Sequence, residues 1–213
     1  MDTKATVPVG ESSRGGRSRG RIAVEAWDHD RRPKETLVPG GILEPVTGRS
    51  FLFFGRRNTT SDFMVAGLLQ WWEERQSALS LGTPLVIHLE NGPACSGRRS
   101  QCLLRMTECA DVTGLSIRIV DSPPEHSQYN GIKRYWAGLE QSWNGYLLDR
   151  VTTVLHRASN CMWTGMRTTA RLLGTAYEKG VTVCGQEKPA LEVRLQRDPK
   201  LQWWDVRINP KMV

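Results

Sequence analysis

The chain has 213 residues, enough for one domain with a substantial core, or one domain plus a small appendage. A hydrophobic fraction of 39% and a charged fraction of 24% exclude a disordered or fibrous chain; no apolar run approaches the ~18 residues of a membrane span and no signal-peptide pattern follows Met1, so a cytoplasmic location is expected. Lys and Arg outnumber Asp and Glu by 29 to 22, a net charge of +7 that favours polyanionic partners, nucleic acid first among them.

Residues 2–9 (DTKATVPV) read as a short strand entering a loop, followed by the Gly/Ser-rich ESSRGGRSRGR with Arg14, Arg17, Arg19 and Arg21. Ile22 to Trp27 alternates as a strand and Phe51 to Phe54 makes another. Between them lies a connection punctuated by Pro and Gly that contains Asp28-His29-Asp30. A helix starts near Thr60 or Ser61, either of which can cap it, and Val65, Leu68, Leu69 and Trp72 follow its apolar period. Pro84 introduces the apolar strand Leu85 to Leu89, which runs into Glu90-Asn91-Gly92-Pro93. Ser96 can cap a second helix, and Gly114 stands where a left-handed residue would stop it.

Ser116 to Val120 reads as a strand. A third helix begins at about Asn130, with Ile132, Tyr135, Trp136, Leu139 and Trp143 on its buried stripe. Beyond residue 146 the pattern weakens: Leu147 to Ala158 and Leu191 to Gln196 read as helical, and Trp203 to Ile208 as a closing strand. Strands alternating with helices after an opening set of strands imply an α/β or α+β layered domain with a mixed sheet, of which α/β is the expectation adopted. The expected division is a core over residues 1–146 and a helical extension over 147–213 packed on it. Five cysteines without a CxxC pair argue against a zinc site or a disulfide framework; Cys95, Cys102 and Cys109 recur every seven residues and read as small buried hydrophobes.

Enzymes that break phosphodiesters commonly hold divalent metals between carboxylates at the carboxyl ends of neighbouring strands. Glu90 fits that position, Asp2 could end a first strand, and Asp121 follows a third strand. An acid after a strand more often serves as a turn or cap residue, so spacing alone does not make an enzyme. On the third helix the matching position holds Lys133. The stretch before it, with His126, Ser127 and Asn130, opens a helix that shows Lys133 and Arg134, a combination suited to phosphate. On the residues alone, a capped helix with a solvated basic first turn is the slightly favoured reading. No GxSxG context accompanies the four histidines, so a Ser-His-Asp hydrolase is not supported.

The run HLENGPACSGRRSQ (His88 to Gln101) resembles a segment of the catalytic DDE domain of bacterial insertion-sequence transposases of the Rhodopirellula type. The resemblance continues through PPEHSQYNGIKRYWAGLEQSWNG, Asp2-Thr3-Lys4 with SSRGGRSR, the Asp28-His29-Asp30 triplet and EKGVTVCGQEK, and so covers essentially the whole chain. It implies an RNase H-like mixed sheet flanked by helices, with a small C-terminal helix and strand extension. It further implies three carboxylates with Mg2+ or Mn2+ that nick transposon ends and join them to target DNA.

By position, the first acid and metal ligand is Asp2. The second is Glu90, where the family has Asp, and the third falls on Lys133, where the family has Glu. Glu for Asp moves the oxygens by one carbon–carbon bond, about 1.5 Å, and an ammonium cannot ligate a cation. Glu140 lies roughly 10 Å further along the same helix at ~1.5 Å per residue, too far to substitute, which leaves Asp121 as the alternative acid. Gly131 stands where the family has Pro. The family also implies residues before Asp2, so the resemblance describes a first strand cut short and a missing front DNA-binding region.

Whether the chain is an enzyme therefore stays open. The favoured expectation is a transposase-like protein of an insertion sequence, defective in strand cleavage and transfer. The alternatives are a non-catalytic module that binds DNA or an intact transposase, and a non-functional remnant. DNA (transposon ends and target) is the expected partner, with self-association left open and no membrane. Its expected contacts are Arg14, Arg17, Arg19, Arg21, Arg98, Arg99, Lys133 and Arg134.

Overall fold

The computed structural model describes residues 1–17, 25–27, 33, 35–79, 83–90, 92–122 and 130–211. In chain order its elements are β1 (Asp2–Thr3), β2 (Val7–Val9), β3 (Glu35–Leu43), β4 (Ser50–Gly55), α1 (Ser61–Arg75), β5 (Leu85–Glu90), α2 (Ser100–Thr113) and β6 (Ile117–Ser122). There follow α3 (Gly131–Trp143), α4 (Val151–Ser159), β7 (Met162–Trp163), β8 (Met166–Arg167), β9 (Thr169–Leu172), α5 (Lys188–Val193), β10 (Leu195–Arg197) and β11 (Asp205–Ile208). The chain forms two compact units, one of residues 1–2, 58–129 and 177–213, the other of residues 3–57 and 130–176. Residues 147–213 are thus shared between the two. Both units combine helices with strands, and the chain as a whole has the expected α/β architecture of mixed sheets flanked by helices. Among the described residues no helix is long and apolar enough to cross a membrane.

The first unit is organised by a sheet of order β10-β11-β6-β5. β5 and β6 run parallel, with Leu89 opposite Asp121 and Glu90 opposite Ser122, and β11 runs antiparallel to β6. Along β5, Ile87 and Leu89 are buried while Val86 and His88 are exposed, the alternation of a strand covered on one face. α1 packs on α2. The Thr60 hydroxyl caps α1 by accepting from the Phe63 N–H at 3.2 Å. Val65, Leu68 and Trp72 are buried as their period requires, but so are Phe63, Met64 and Trp71, so apolar contact extends around more of the helix than one stripe. α2 starts at Ser100, not at a Ser96 cap: the Ser96 carbonyl accepts from the Arg99 N–H in a turn, and Arg99 precedes the helix without a capping side chain. Gly114 ends it at φ +71°, as the left-handed stop requires.

One expectation about the cysteines is overturned. Cys95 and Cys102 form a disulfide, with their Cα atoms 5.1 Å apart. Because α2 begins only at Ser100, Cys95 lies in the preceding loop, which folds back over the first turn and brings the two residues into bridging range. Cys95, Cys102 and Cys109 are buried as expected; Cys161 is buried too, whereas Cys184 is exposed.

The second unit is built around β3, which pairs antiparallel with β2 and with β4; β9 lies parallel to β4, and β1, whose Thr3 belongs to this unit, lies at the sheet edge. The sequence pattern hides β3 inside a Pro/Gly connection, and the packing explains its composition. A Cβ on Gly40 would stand 2.2 Å from the Phe53 ring, and one on Gly41 would stand 2.7 Å from Trp136. Glycine is what lets both aromatics lie against the strand. α3 contributes Ile132, Tyr135, Trp136, Leu139 and Trp143 to the core, all five of the expected stripe, where they join Val7, Val9, Leu37, Leu52 and Phe54. A polar cluster buried here is satisfied internally: the Thr168 hydroxyl is 2.7 Å from that of Tyr135 and 2.8 Å from that of Ser50.

Other boundaries shift. The helix after residue 146 runs from Val151 to Ser159, and the stretch read as helical over 191–196 divides into the end of α5 and the strand β10. Of the strand expected at 22–27, residues 22–24 lie outside the described residues, and Trp27 forms a single bridge to Ser12.

Replacing Gly40 by Ala forces the Phe53 ring to move and should cost about 1–3 kcal/mol of stability. Urea denaturation measures this directly; an unchanged midpoint would mean that the ring has room to spare.

Candidate functional site

Glu90 ends β5, and Asp121 lies near the end of the parallel neighbour β6, so both stand at the carboxyl ends of adjacent strands. Their side chains nevertheless part company. Asp121 pairs with Leu89 and shares its buried face, while Glu90 pairs with Ser122 and alternates to the other face. Asp121 is 3% exposed; its Oδ2 accepts from the Gly97 N–H at 2.7 Å, and its Oδ1 has no hydrogen-bond partner. Burial pushes its carboxyl up to about 6, against the Gly97 hydrogen bond and the Arg98 charge, which pull it down. Asp121 is thus a structural clamp on the loop before α2, and the sheet pleat excludes it as a replacement acid beside Glu90.

Asp2 is placed by a different route. The Met1 nitrogen donates to the His88 carbonyl of β5 at 2.7 Å, which sets residue 2 against the end of that strand. Burial lowers the Met1 amine to about 6, while the Asp2 and Glu90 carboxylates both push it back up, so one amine senses both acids. Asp2 is buried and Glu90 half-buried.

Gly97 joins the loop before α2 to the loop between β10 and β11. A Cβ on it would stand 2.7 Å from the Trp203 carbonyl oxygen and 3.4 Å from Asp121 Oδ2. Its own carbonyl accepts from Arg197 Nη1 at 3.0 Å. The two residues that follow, Arg98 and Arg99, are exposed at the start of α2.

In the second unit, Asn130 caps α3 by accepting from the Ile132 N–H at 3.3 Å, and Lys133 and Arg134 are exposed on its first turn. Glu140, two turns on, is gripped by Lys4 and by Arg14, whose Nη2 lies 2.9 and 2.8 Å from the two carboxylate oxygens. Burial pushes that carboxyl up, but the Lys4 hydrogen bond and the two positive charges outweigh it and hold it low. Arg14, expected among the DNA contacts, is therefore committed to Glu140 and also lies 5.6 Å over the Trp143 ring. Arg17 is exposed. Arg19, Arg21, Asp28-His29-Asp30, His126 and Ser127 lie outside the described residues. The Glu140 clamp was not visible in the sequence, because its three members are far apart in the chain; the Gly97 junction had its signal in the SGRR run.

The model of the Rhodopirellula transposase DDE domain matches residues 1–210. The chain belongs to this family. No curated protein and no solved structure matches it. As a transposase DDE domain it has the expected RNase H-like class of fold, and its function is transposase-like.

The family generally uses divalent metals. On the assignment that the resemblance implies, Asp2 and Glu90 both lie within electrostatic reach of the Met1 nitrogen, and the third position is the ammonium of Lys133. Among the described residues no group of three or more His, Cys, Asp or Glu side chains could hold a metal ion. The described side chains do not supply the expected three-carboxylate arrangement.

Asp121 yields a pH prediction. Its folded value, about 6, lies above the ordinary Asp value of 3.8, so the native state binds the proton more tightly. The resulting stability is full below the unfolded value and is lost as pH rises through about 6. Asp111 and Asp205 have the opposite sign: hydrogen bonds from Arg194 and Arg118, respectively, hold them low, so their contribution is lost only in stronger acid. Melting temperature should therefore gain from Asp121 as pH falls from about 6 to 4, an upper limb that the lowered Met1 amine and His88 oppose, and drop in stronger acid. Asp121→Asn should flatten the upper limb, and an unchanged profile would rule out Asp121 as its source.

Proposed function

We propose that this chain is a transposase-like protein of an insertion sequence that holds DNA without cutting it. The observation that carries this reading is Lys133, a cation where the family's third carboxylate belongs. A unit charge pair 4 Å apart is worth about 4 kcal/mol at a screened effective dielectric. Exchanging an attractive partner for a repulsive one beside a divalent ion therefore costs several kcal/mol on that scale. Glu90 adds a displacement, since its carboxylate reaches one bond further than the Asp of the family. The expected Mg2+ or Mn2+ chemistry thus rests on Asp2 and Glu90 alone among its three positions.

Binding places different demands on the site. Phosphate contacts need exposed cations on ordered backbone, which Arg98 and Arg99 supply at the start of α2 and Lys133 and Arg134 supply on the first turn of α3. Arg17 is exposed as well, whereas the Arg14 guanidinium is occupied by Glu140. Transposon ends and target DNA remain the proposed partners, reached in the cytoplasm.

Two measurements test the reading. Nicking of supercoiled plasmid in Mn2+ should be undetectable for the unaltered chain, and Glu90→Asp combined with Lys133→Glu should raise it by about 100-fold over the background. Efficient nicking by the unaltered chain would sink the proposal. Duplex affinity should fall on the order of 100-fold between about 50 and 200 mM salt if four cations contact phosphate; an affinity indifferent to salt would remove the DNA contacts from the account.

A further inference from the structure

The loop between β10 and β11 carries Trp203 and Trp204 in tandem, and each indole has a guanidinium over its ring, Arg197 at 5.0 Å from Trp203 and Arg98 at 5.0 Å from Trp204. Despite that cover, Trp203 keeps 46% of its surface in solvent. The neighbouring cations Arg99 and Lys200 are exposed too. We infer that this tandem is a stacking platform for the bases of unpaired DNA, with Trp203 as the open ring; the inference rests on the proposed DNA binding and specifies the state of the strand.

Three observations support it. The loop is rigidly built: the Leu201 N–H donates to the Asp198 carbonyl and carboxylate, the Trp204 N–H to the Leu201 carbonyl at 2.8 Å, and Arg197 Nη1 to the Gln202 carbonyl at 3.0 Å. The Asp121 N–H donates to the Trp204 carbonyl at 2.9 Å, which ties the loop to the carboxyl end of β6, next to the strand that ends in Glu90. An indole held out into water by such a loop gives a base a flat apolar face at little ordering cost.

The chemistry selects one kind of partner. Arg197 is balanced by Glu192, with Nη2 to Oε1 at 2.9 Å, so its guanidinium serves to orient the indole. Arg98 stands over Trp204, and its chain neighbour Arg99 and Lys200, on the loop that carries Trp203, are exposed; this positive charge suits a phosphate backbone. An aromatic face flanked by cations reads unpaired bases without regard to sequence, because every base has a π-face. In a duplex the base faces are stacked on one another and closed to Trp203.

The probe is a labelled thymidine strand of about twelve nucleotides, compared by fluorescence anisotropy with an abasic strand of equal phosphate count and with a duplex. The unaltered chain should bind the thymidine strand about 10-fold or more tightly than the abasic one. Trp203→Ala should abolish that preference while leaving duplex affinity within about 2-fold, and Trp203→Phe should keep most of it. Equal binding of thymidine and abasic strands by the unaltered chain would overturn the platform while leaving DNA binding intact. Loss of duplex affinity in a folded Trp203→Ala chain would overturn it as well, since the indole would then be supporting the whole surface. Failure of the unaltered chain to bind either strand or the duplex would overturn the platform together with the DNA reading beneath it.

Discussion

The backbone of Gly97 is held from both sides. Its N–H gives to a buried carboxylate at 2.7 Å, its carbonyl receives from a half-buried guanidinium at 3.0 Å, and the space where a side chain would stand is filled by the Trp203 carbonyl. Through this one residue the loop after β5, the end of β6 and the loop between β10 and β11 become a single piece. Any Cβ would push the Trp203 backbone away and break the bonds that depend on its approach. The cost of the arrangement is visible in Asp121, one of whose oxygens is buried without a partner.

A different logic governs the charges. The Met1 nitrogen, bonded to the His88 carbonyl of β5, lies within electrostatic reach of both the Asp2 and the Glu90 carboxylates. Glu140, an acid of the second unit, is neutralised by Lys4 and Arg14. Its carboxylate is already bonded by two cations, so a metal ion would have to displace them to reach it. Lys133 is exposed on the first turn of α3, and with Arg134 it makes that turn basic. On the proposed reading, the substitution that removes a metal ligand also adds a charge suited to phosphate.

What could be read from sequence follows from how locally each feature is determined. α3 is legible residue by residue because a cap at Asn130 and five apolar side chains at helical spacing are all local signals, and the core uses every one of them. Gly114 is legible for the same reason. β3 is not, because Pro39, Gly40 and Gly41 look like a turn until Phe53 and Trp136 are seen lying against them. The disulfide escapes because only the late start of α2 brings Cys95 near Cys102. At the site, the acid positions 2, 90 and 133 come from family resemblance, whereas the opposed faces of Glu90 and Asp121 follow only from strand register, which no spacing reveals.

These strands of argument meet in the loop that precedes α2. It is fixed by the Ser61 hydroxyl donating to the Ala94 carbonyl at 2.6 Å, by the Cys95–Cys102 bridge and by the two bonds at Gly97. None of these ties involves Asp2, Glu90 or Lys133. Changing the acids therefore leaves the loop, and with it Arg98 and Arg99, in place. A surface ordered in advance loses little conformational freedom when it meets a polyanion. On the proposed reading, catalysis and binding are separable here for a physical reason: cutting requires three like charges gathered around a cation, while holding DNA requires only that the scaffold keep its cations pointing outward.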